Sequence, residues 1–310
     1  MRAWPIITAS VALAACGGSG AASTGPGSGP QVPALPPAPS TAPAPTTTPT
    51  PKPVPLYAGR VLDADHGNAP IGGATVTVGT GFAYTGAGYA LSGVTATVSS
   101  NADGTFAILP SGATYVQITA PGVAPAHRPI AAATNFAGFD AAAFAPALFR
   151  LPTPNADELG GLAEVNINRA KFGAGSGALA LSLDADLIVA ARAFANDMAA
   201  NGYLAHTKPG TAYAYFSSAA CQLGSFCFNP FYDDENIAGG TTAGAVTPGA
   251  AGFNLASTND AYIGQGPADG HYQRVLNATN IFVGLGASYN GIGLGGAPYG
   301  SYFVEGYAHR

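Results

Sequence analysis

Three polar residues in the second half of the chain, His206, Glu235 and His271, have side chains that can ligate a metal ion or transfer a proton. Two imidazoles and one carboxylate form a ligand set that Zn²⁺ accepts, with a fourth position left to water. The same groups could form a proton-transfer set in which Glu235 orients one imidazole. They could also only cross-link chain segments through hydrogen bonds. The sequence leaves these alternatives open.

No residue of the chain has the sequence context of an activated nucleophile, since no G-x-S-x-G element occurs. Cys221 and Cys227 lie between His206 and Glu235, with five residues separating them. In an exported protein this pair predicts a disulfide that clamps the chain locally and contributes about 2–3 kcal/mol. The surrounding aromatic residues suit either core packing or a rim that binds a lipid or other apolar ligand: Tyr213, Tyr215, Phe216, Phe226, Phe228, Phe231 and Tyr232.

Two helices are predicted to position these groups. Asn155 followed by Glu158 is typical of a capping box at a helix N-terminus. A second helix is predicted to begin near Ser182 and to end at Gly202, so that His206 follows its end. Its apolar residues fall on one face that we expect to be core: Leu183, Leu187, Ala191, Phe194 and Met198. Glu235 is expected in a turn or at a helix start.

A series of short motifs runs through residues 154–310. In order they are Val165-Asn166-x-x-Arg169, Asn196-Asp197-Met198-Ala199, His206-Thr207, Asp234-Glu235-Asn236-Ile237-Ala238, Gly270-His271-Tyr272, Val283-Gly284-x-Gly286 and Tyr302-Phe303-Val304. Their order and spacing resemble the CAP domain (cysteine-rich secretory, antigen 5, pathogenesis-related), called SCP-like in bacteria. The resemblance implies an α+β fold in which helices cover both faces of a central antiparallel sheet, an α-β-α sandwich.

The resemblance also implies a site. In CAP domains two His and two Glu line a cleft that binds divalent metal, and His206, Glu235 and His271 match three of these four as tentative ligands of Zn²⁺ or another divalent ion. The fourth, a Glu on the helix before the second His, has no counterpart; Asp260 is the nearest carboxylate. Tyr262 stands where the family often has Trp. Some CAP proteins bind lipids, which implies a small apolar ligand as an alternative.

In residues 56–130, apolar and polar residues alternate along short segments that are separated by turn residues. This pattern predicts a smaller all-β sandwich domain. Four motifs resemble the carboxypeptidase regulatory-like domain, a spacer or binding accessory: Gly59-x-Val61, Pro70-Ile71-x-Gly73-Ala74-x-Val76, Asp103-Gly104-Thr105-Phe106 and Ala120-Pro121-Gly122. The segment 79–92 is interpreted as an insertion, and 131–153 as a connection packed against one or both domains. His66 and His127 are expected to be solvated.

The N-terminus predicts export and anchoring. Residues 1–15 have the length and apolar core of a signal peptide. The run Leu13-Ala14-Ala15-Cys16 resembles the lipobox of bacterial lipoproteins, which implies acylation of Cys16 and insertion of the acyl chains in a membrane. A plain secretory signal is the alternative. The Pro-rich residues 16–55 are expected to be a disordered stalk. Gly17 favours the outer membrane if the cell is Gram-negative, with the folded domains periplasmic or extracellular.

The net charge of −5 and the lack of any Lys/Arg cluster exclude a nucleic-acid binder. Together, these features predict a lipid-anchored cell-envelope protein whose CAP domain binds a small apolar ligand, a divalent metal or an envelope partner without turnover. A metal-assisted hydrolase of peptide or cell-wall material is one alternative. A structural or adhesive surface protein is the other, and the oligomeric state stays open.

Overall fold

A computed structural model describes residues 57–130, 147–210, 232–240, 254–289 and 299–309. The first strands are β1 (Tyr57–Asp63), β2 (Ala69–Pro70), β3 (Thr75–Gly79), β4 (Gly81–Tyr84), β5 (Tyr89–Ser92), β6 (Ala96–Ser99), β7 (Thr105–Ile108), β8 (Tyr115–Thr119), β9 (Ala126–Pro129) and β10 (Ala147–Leu151). Then follow α1 (Ala156–Phe172), β11 (Ser182–Leu183), α2 (Ala185–Asn201), β12 (Tyr232–Gly240), α3 (Leu255–Gly264), α4 (Gly270–Val275), β13 (Asn280–Ser288) and β14 (Ser301–His309).

The N-terminal strands form two sheets and a hairpin. In one sheet β1 lies between β10 and β2 and also pairs with β7, and the other has the order β6-β3-β8-β9. Alternation puts Val76 and Val78 of β3 in the core, while Thr75 and Thr77 face outward. Gly104, at φ +79°, makes the turn before β7, and a Cβ there would collide with the carbonyl oxygen of Val61. The predicted all-β character of this region is confirmed.

Two segments contribute strands that the sequence did not predict. The part interpreted as an insertion forms the hairpin of β4 and β5. The part interpreted as a connection contains β10, which pairs in parallel with β1 from Gly59 opposite Ala147 to Asp63 opposite Leu151. Phe149 and Leu151 of β10 are fully buried, so this strand completes the N-terminal core.

Both predicted helix starts have a polar cap. Asn155 accepts a hydrogen bond from the Glu158 backbone N–H, and the Glu158 carboxylate accepts one from the Asn155 N–H. Asp184 caps α2 by accepting from the Leu187 N–H. Helix α2 ends at Gly202, which adopts the left-handed conformation with φ +67°. The start of α1 and the end of α2 agree with the prediction. The predicted start of the second helix near Ser182 is wrong, because Ser182 and Leu183 pair with β13 as strand β11 and α2 begins at Ala185.

The C-terminal strands form a sheet with the order β11-β13-β14-β12. Strand β11 is parallel to β13, and the other two pairings are antiparallel. Helix α2 lies very close to β13, because a Cβ on Gly284 or Gly286 would overlap its backbone at Leu187 or at Ala191 and Arg192. The two glycines of the Val283-Gly284-x-Gly286 motif therefore set the distance between helix and sheet.

Alternation along β14 sends its side chains to two different cores. Tyr302, Val304 and Ala308 pack in the cluster that contains the apolar residues of α2. Phe303 and Tyr307 point the other way, into a cluster that includes residues of α1, α3 and α4: Val165, Leu255, Tyr262, Ile263 and Val275. Helices thus contact both faces of this sheet within the described part of the chain.

A buried polar junction joins the N-terminal strands to α2. The N–H and Nδ1 of His127, on β9, lie 3.0 and 3.1 Å from Oδ2 of Asp184. The ring of His127 stacks on Phe282 with centroids 4.2 Å apart. Only 2% of His127 is exposed, so the expectation that it is solvated is wrong. The residues around His127 have a turn-like sequence, but the position of His127 is set by its contacts with α2 and β13. His66 is exposed, as expected.

Several predicted features lie outside the described residues. They are the signal peptide and Cys16, the Pro-rich stalk, Cys221 with Cys227, and the aromatic side chains predicted between His206 and Glu235. Their predictions stay predictions. In the part of the chain that the structure describes, no helix is both long and apolar enough to cross a membrane.

Candidate functional site

His206 and Glu235 form the first pair of the candidate site. After Gly202 ends α2, the chain brings the His206 ring to β12, where its Nδ1 lies 3.1 Å from Oε1 of Glu235. The two side chains differ in exposure, at 47% for His206 and 2% for Glu235. A buried carboxylate therefore fixes one ring nitrogen, while the rest of the imidazole faces solvent and Nε2 stays available for a further hydrogen bond.

Glu235 lies within a strand, which corrects the expectation of a turn or helix start. It is on β12 opposite Gly306 of β14. Asp234 and Arg274 form an ion pair through Oδ2 and Nε that ties β12 to α4. The strand conformation comes from pairing with β14, which is more than 60 residues away in sequence and leaves no local pattern.

His271 is held by a different set of groups. It is near the start of α4, whose N-cap is Asp269. Its Nδ1 lies 2.8 Å from Oε1 of Gln265 and 3.0 Å from Oδ1 of Asp269. Its ring stacks on Tyr262 with centroids 4.8 Å apart. The backbone N–H of His271, followed by its side chain, holds the pKa of Asp269 below the ordinary value.

The two histidines reach β12 from opposite sides of the sheet. Glu235 shares its face with Ile237, which packs in the α2 cluster. Asn236 points to the other face, where its Nδ2 donates to the backbone oxygen of His271 at 3.3 Å. The structure thus brings His206 and Glu235 into direct contact, while His271 has its own partners.

Glu305 is a buried carboxyl group beside the His271 segment. It is fully buried on β14 and accepts hydrogen bonds from Tyr307 Oη at 2.6 Å, from Asn259 Nδ2 at 3.1 Å and from Asn236 Nδ2 at 3.4 Å. Burial raises its pKa to about 7, although the three donors favour the charged form. Burial, and then the nearby Glu305 charge, also raise the pKa of Tyr307.

The sequence did not identify Glu305 as a candidate site residue or reveal its partners. One signal was present, because a carboxylate in the apolar run from Tyr302 to Tyr307 is unusual for a strand buried on both faces. Asn236 connects Glu305 with the backbone of His271, so these residues form one polar network on the α3 side of the sheet.

Residues 162–307 match the family model of the cysteine-rich secretory protein family, CAP. The matched segment contains α1 from Leu162 onward, α2, α3, α4 and the C-terminal sheet. It also contains His206, Glu235 and His271. The match supports the CAP resemblance of the C-terminal half, and the N-terminal strands lie outside it. No curated protein matches the chain.

Within the matched segment, Asp260 does not take the place of the fourth residue that the CAP resemblance implies. Its Oδ1 accepts from Asn168 Nδ2 at 3.0 Å, and the pKa of the neighbouring Glu164 is raised by burial and then by the Asp260 charge. The contact with His271 is instead made by Gln265, the C-cap residue of α3. An amide at this position orients the imidazole but cannot supply a negative charge.

The metal set expected in the matched segment is His206, Glu235 and His271. Among the described residues, which include His206, Glu235 and His271, no group of three His, Cys, Asp or Glu side chains could hold a metal ion. Nδ1 of each histidine already lies against an oxygen of a neighbouring side chain, from Glu235 in one case and from Gln265 and Asp269 in the other. Such contacts orient the two rings and leave Nε2 of each as the remaining nitrogen donor.

Proposed function

We propose that the chain is a lipid-anchored cell-envelope protein whose CAP segment binds a small, largely apolar molecule carrying one polar group, without turnover. The observation that carries this proposal is the half-exposed imidazole of His206 fixed by the buried carboxylate of Glu235. Such a group offers one oriented hydrogen bond at Nε2. Small-molecule sites typically combine a few placed polar groups with apolar walls.

The apolar part of the ligand is argued from the sequence around the pair. Between His206 and Glu235 the chain has seven Phe and Tyr residues but few charges, which suits contact with a lipid-like body: Tyr213, Tyr215, Phe216, Phe226, Phe228, Phe231 and Tyr232. In this proposal the aromatic side chains provide apolar contact area for the ligand, and His206 orients the ligand's polar group.

A binding role fits the chemistry of the described residues better than hydrolysis. Glu235 is positioned to orient His206, but no described residue stands against His206 as a nucleophile, and the described part of the chain lacks a three-ligand metal group. The sequence has no nucleophile motif of the G-x-S-x-G type.

The anchor in this proposal is acylated Cys16. Two or three acyl chains hold a protein stably on a membrane, since each buried CH₂ contributes about 0.8 kcal/mol. The Pro-rich residues 16–55 would then separate the folded part from the lipid surface. In this proposal the His206 site is periplasmic or extracellular, and the anchor is in the outer membrane if the cell is Gram-negative.

The N-terminal strands have a supporting role in this proposal. They contact the start of α2 through His127 and Arg128, and the end of α2 leads to His206. The same region is joined to α1 through Arg192, whose guanidinium binds both Glu158 and Asp65. We propose that they hold α2 in place, in addition to spacing the CAP segment from the membrane.

The ligand test uses the full chain purified in detergent from a Gram-negative host, followed by organic extraction and mass spectrometry. Wild type is compared with His206→Ala and with His66→Ala, since His66 is also a histidine paired with a carboxylate, Asp63, but lies in the N-terminal strands. We expect a co-purified small molecule that is retained by His66→Ala and reduced at least about tenfold in His206→Ala. Equal amounts in all three proteins, or metal-dependent cleavage of a peptide or peptidoglycan, would contradict the proposal.

The anchor test is separate. Wild type and Cys16→Ser are expressed with a radiolabelled fatty acid, and membrane and soluble fractions are compared. We expect label and membrane association only for wild type. Unlabelled wild-type protein would point to the plain secretory signal.

A further inference from the structure

Asp197, near the end of helix α2, binds the chain segment that carries His206. Its Oδ1 accepts hydrogen bonds from Lys208 Nζ at 2.7 Å and from Asn201 Nδ2 at 3.0 Å. Its Oδ2 accepts one from Tyr203 Oη at 2.6 Å. One carboxylate thus receives three side-chain donors, which belong to the last residue of α2 and to the chain that follows it.

Helix α2 by itself does not account for a carboxylate at position 197. The free carbonyl groups at a helix C-terminus make a nearby negative charge unfavourable, and basic residues are the stabilising choice there. Helix α2 has no basic residue in its last turn. The side chain of Asp197 is also 14% exposed, so it is largely removed from water. The donors that Asp197 holds in the following segment therefore explain its position.

The two donors beyond the helix lie on either side of His206. Tyr203 is three residues before His206, and Lys208 is two residues after it. Tyr203 is buried in the α2 cluster, whereas His206 and Thr207 are exposed. Apolar burial therefore ends before His206, and the Asp197 carboxylate binds the chain again beyond it. A short segment that is held at both ends has few conformations open to it.

The Asp197 contacts are more than a surface ion pair. An isolated exposed pair contributes little, because two long side chains must be held in one geometry. Here the carboxylate that binds Lys208 also accepts from the Tyr203 hydroxyl and the Asn201 amide, so three donors fix its orientation. The segment on both sides of His206 is therefore held to one fixed group.

The contact of His206 with Glu235 depends on where the His206 backbone lies. The 3.1 Å distance from Nδ1 to Oε1 joins a half-exposed ring to a buried carboxylate on strand β12. An ionised carboxylate only accepts hydrogen bonds, so Nδ1 carries the proton and Nε2 of the neutral ring is left as an acceptor. A backbone shift of about 1 Å would break this contact and free the ring to rotate.

We propose that Asp197 is a positioning residue for His206. By holding Tyr203 and Lys208 at the end of α2, it places the His206 backbone so that Nδ1 meets Glu235 and Nε2 faces the ligand. Asp197 acts on His206 through the chain on either side of it. The inference rests on the ligand-binding role proposed for His206, and it adds that this role requires Asp197. A binding group keeps its productive orientation only when its supporting contacts are in place.

The tautomer of the His206 ring tests this positioning without a ligand. The full chain, labelled with ¹⁵N in its histidine rings and purified in detergent, is studied by long-range ¹H–¹⁵N NMR at about pH 8.5, where histidine is ordinarily neutral. His206→Ala identifies the His206 signals among the five histidines. We expect the ring proton on Nδ1 in wild type. In Asp197→Ala about half of it or more should move to Nε2, since the contact that fixes the tautomer is lost.

Two further variants separate positioning from a general loss of structure. Lys208→Met removes the donor beyond His206 and should move the tautomer in the same direction without changing the far-UV circular dichroism. Asp63→Ala is the matched control, since Asp63 also accepts from two backbone N–H groups and pairs with a histidine ring, but lies in the N-terminal strands. It should leave the His206 signals unchanged. The wild-type tautomer in Asp197→Ala would overturn the proposal, and if that variant does not fold, Lys208→Met decides in the same way.

Retention of the co-purified molecule is the second measurement. Asp197→Ala should retain at least about fivefold less of it than wild type or Asp63→Ala, by organic extraction and mass spectrometry. Full retention with a shifted tautomer would contradict the proposal, because the ring position would then not serve binding. If wild type itself carries no small molecule, the proposed ligand binding fails, and the tautomer still decides whether Asp197 positions His206.

Discussion

Arg128 and Asp186 form a two-point ion pair between strand β9 and helix α2. Arg128 Nε lies 2.6 Å from one carboxylate oxygen of Asp186, and Nη2 lies 2.7 Å from the other. Both side chains are at least nine-tenths buried, and the Arg128 guanidinium also lies 4.1 Å from the centre of the Phe149 ring. The pair joins the N-terminal strands to the helix that precedes His206.

Breaking this pair should be costly. Arg128→Ala leaves the Asp186 carboxylate buried with no guanidinium, and we expect the free energy of unfolding to fall by about 3–5 kcal/mol. Urea denaturation of the variant measures this fall. Arg60→Ala is the control, because Arg60 bonds an exposed carbonyl of Asp103 and should change stability by less than about 1 kcal/mol. If the free energy of unfolding falls by similar amounts in both variants, the buried ion pair contributes no more than the exposed hydrogen bond of Arg60.

Glu305 should make stability decrease as the pH rises. Its pKa is raised to about 7 in the folded protein from an ordinary value of 4.5. Between these values the unfolded chain has lost a proton that the folded protein keeps, so the free energy of unfolding falls with pH. The stabilising contribution of protonated Glu305 is fully present below pH 4.5 and is lost as the pH rises through 7. The free energy of unfolding falls by about 3 kcal/mol over this range.

The measurement compares urea denaturation of wild type and Glu305→Gln at pH 5 and at pH 7.5. The amide cannot ionise, so the difference in stability between the two proteins should shift in favour of the variant at the higher pH. A difference that stays constant with pH would mean that Glu305 titrates as it does in the unfolded chain.

Arg169 should stabilise the C-terminal half through backbone carbonyl groups. Its guanidinium donates to the oxygens of Leu179, Val275, Asn277 and Asn280 at 2.6, 2.5, 3.1 and 3.3 Å. Burial lowers its pKa to about 10, so it stays charged at neutral pH. Arg169→Met leaves these acceptors without their donor and should cost at least about 3 kcal/mol by calorimetry or urea denaturation. A loss below about 1 kcal/mol would mean that water replaces the guanidinium.

Gly284 should not tolerate a side chain. A Cβ there would lie 2.1 Å from the backbone of Leu187, so Gly284→Ala must push α2 away from β13. We expect a loss of about 1–3 kcal/mol or more, measured by thermal unfolding. Gly264→Ala is the matched control, since a Cβ at Gly264 meets nothing within 4 Å. If both variants melt alike, the helix and the sheet are not in close contact.

Zinc should not stabilise the protein through the predicted three residues. His206 with Glu235 and His271 with Gln265 form separate pairs, so adding Zn²⁺ should leave the melting temperature within about 1 °C of the metal-free value. The contrary result is an increase that disappears both in His206→Ala and in His271→Ala, which would require the two rings to move together.

The local sequence determined the ends of the helices. The capping box of Asn155 with Glu158 and the left-handed Gly202 each depend on groups within a few residues, so the chain order alone displays them. The start of α2 was predicted near Ser182 instead of at Ala185, because pairing with β13 makes Ser182 and Leu183 a strand. The CAP resemblance rested on short motifs in a fixed order, and the family match at residues 162–307 supports it.

Only the tertiary structure decided what surrounds each polar side chain. The sequence placed His127 in solvent, Glu235 in a turn or at a helix start, and His271 in one group with His206. In the structure His127 meets Asp184, 57 residues away, and Glu235 lies on a strand paired with β14. Contacts of this kind join residues distant in sequence, and their energies depend on burial and on the opposite face of a sheet. Neither quantity is expressed in the spacing of residues along the chain, so the sequence could name the reactive groups but not their partners.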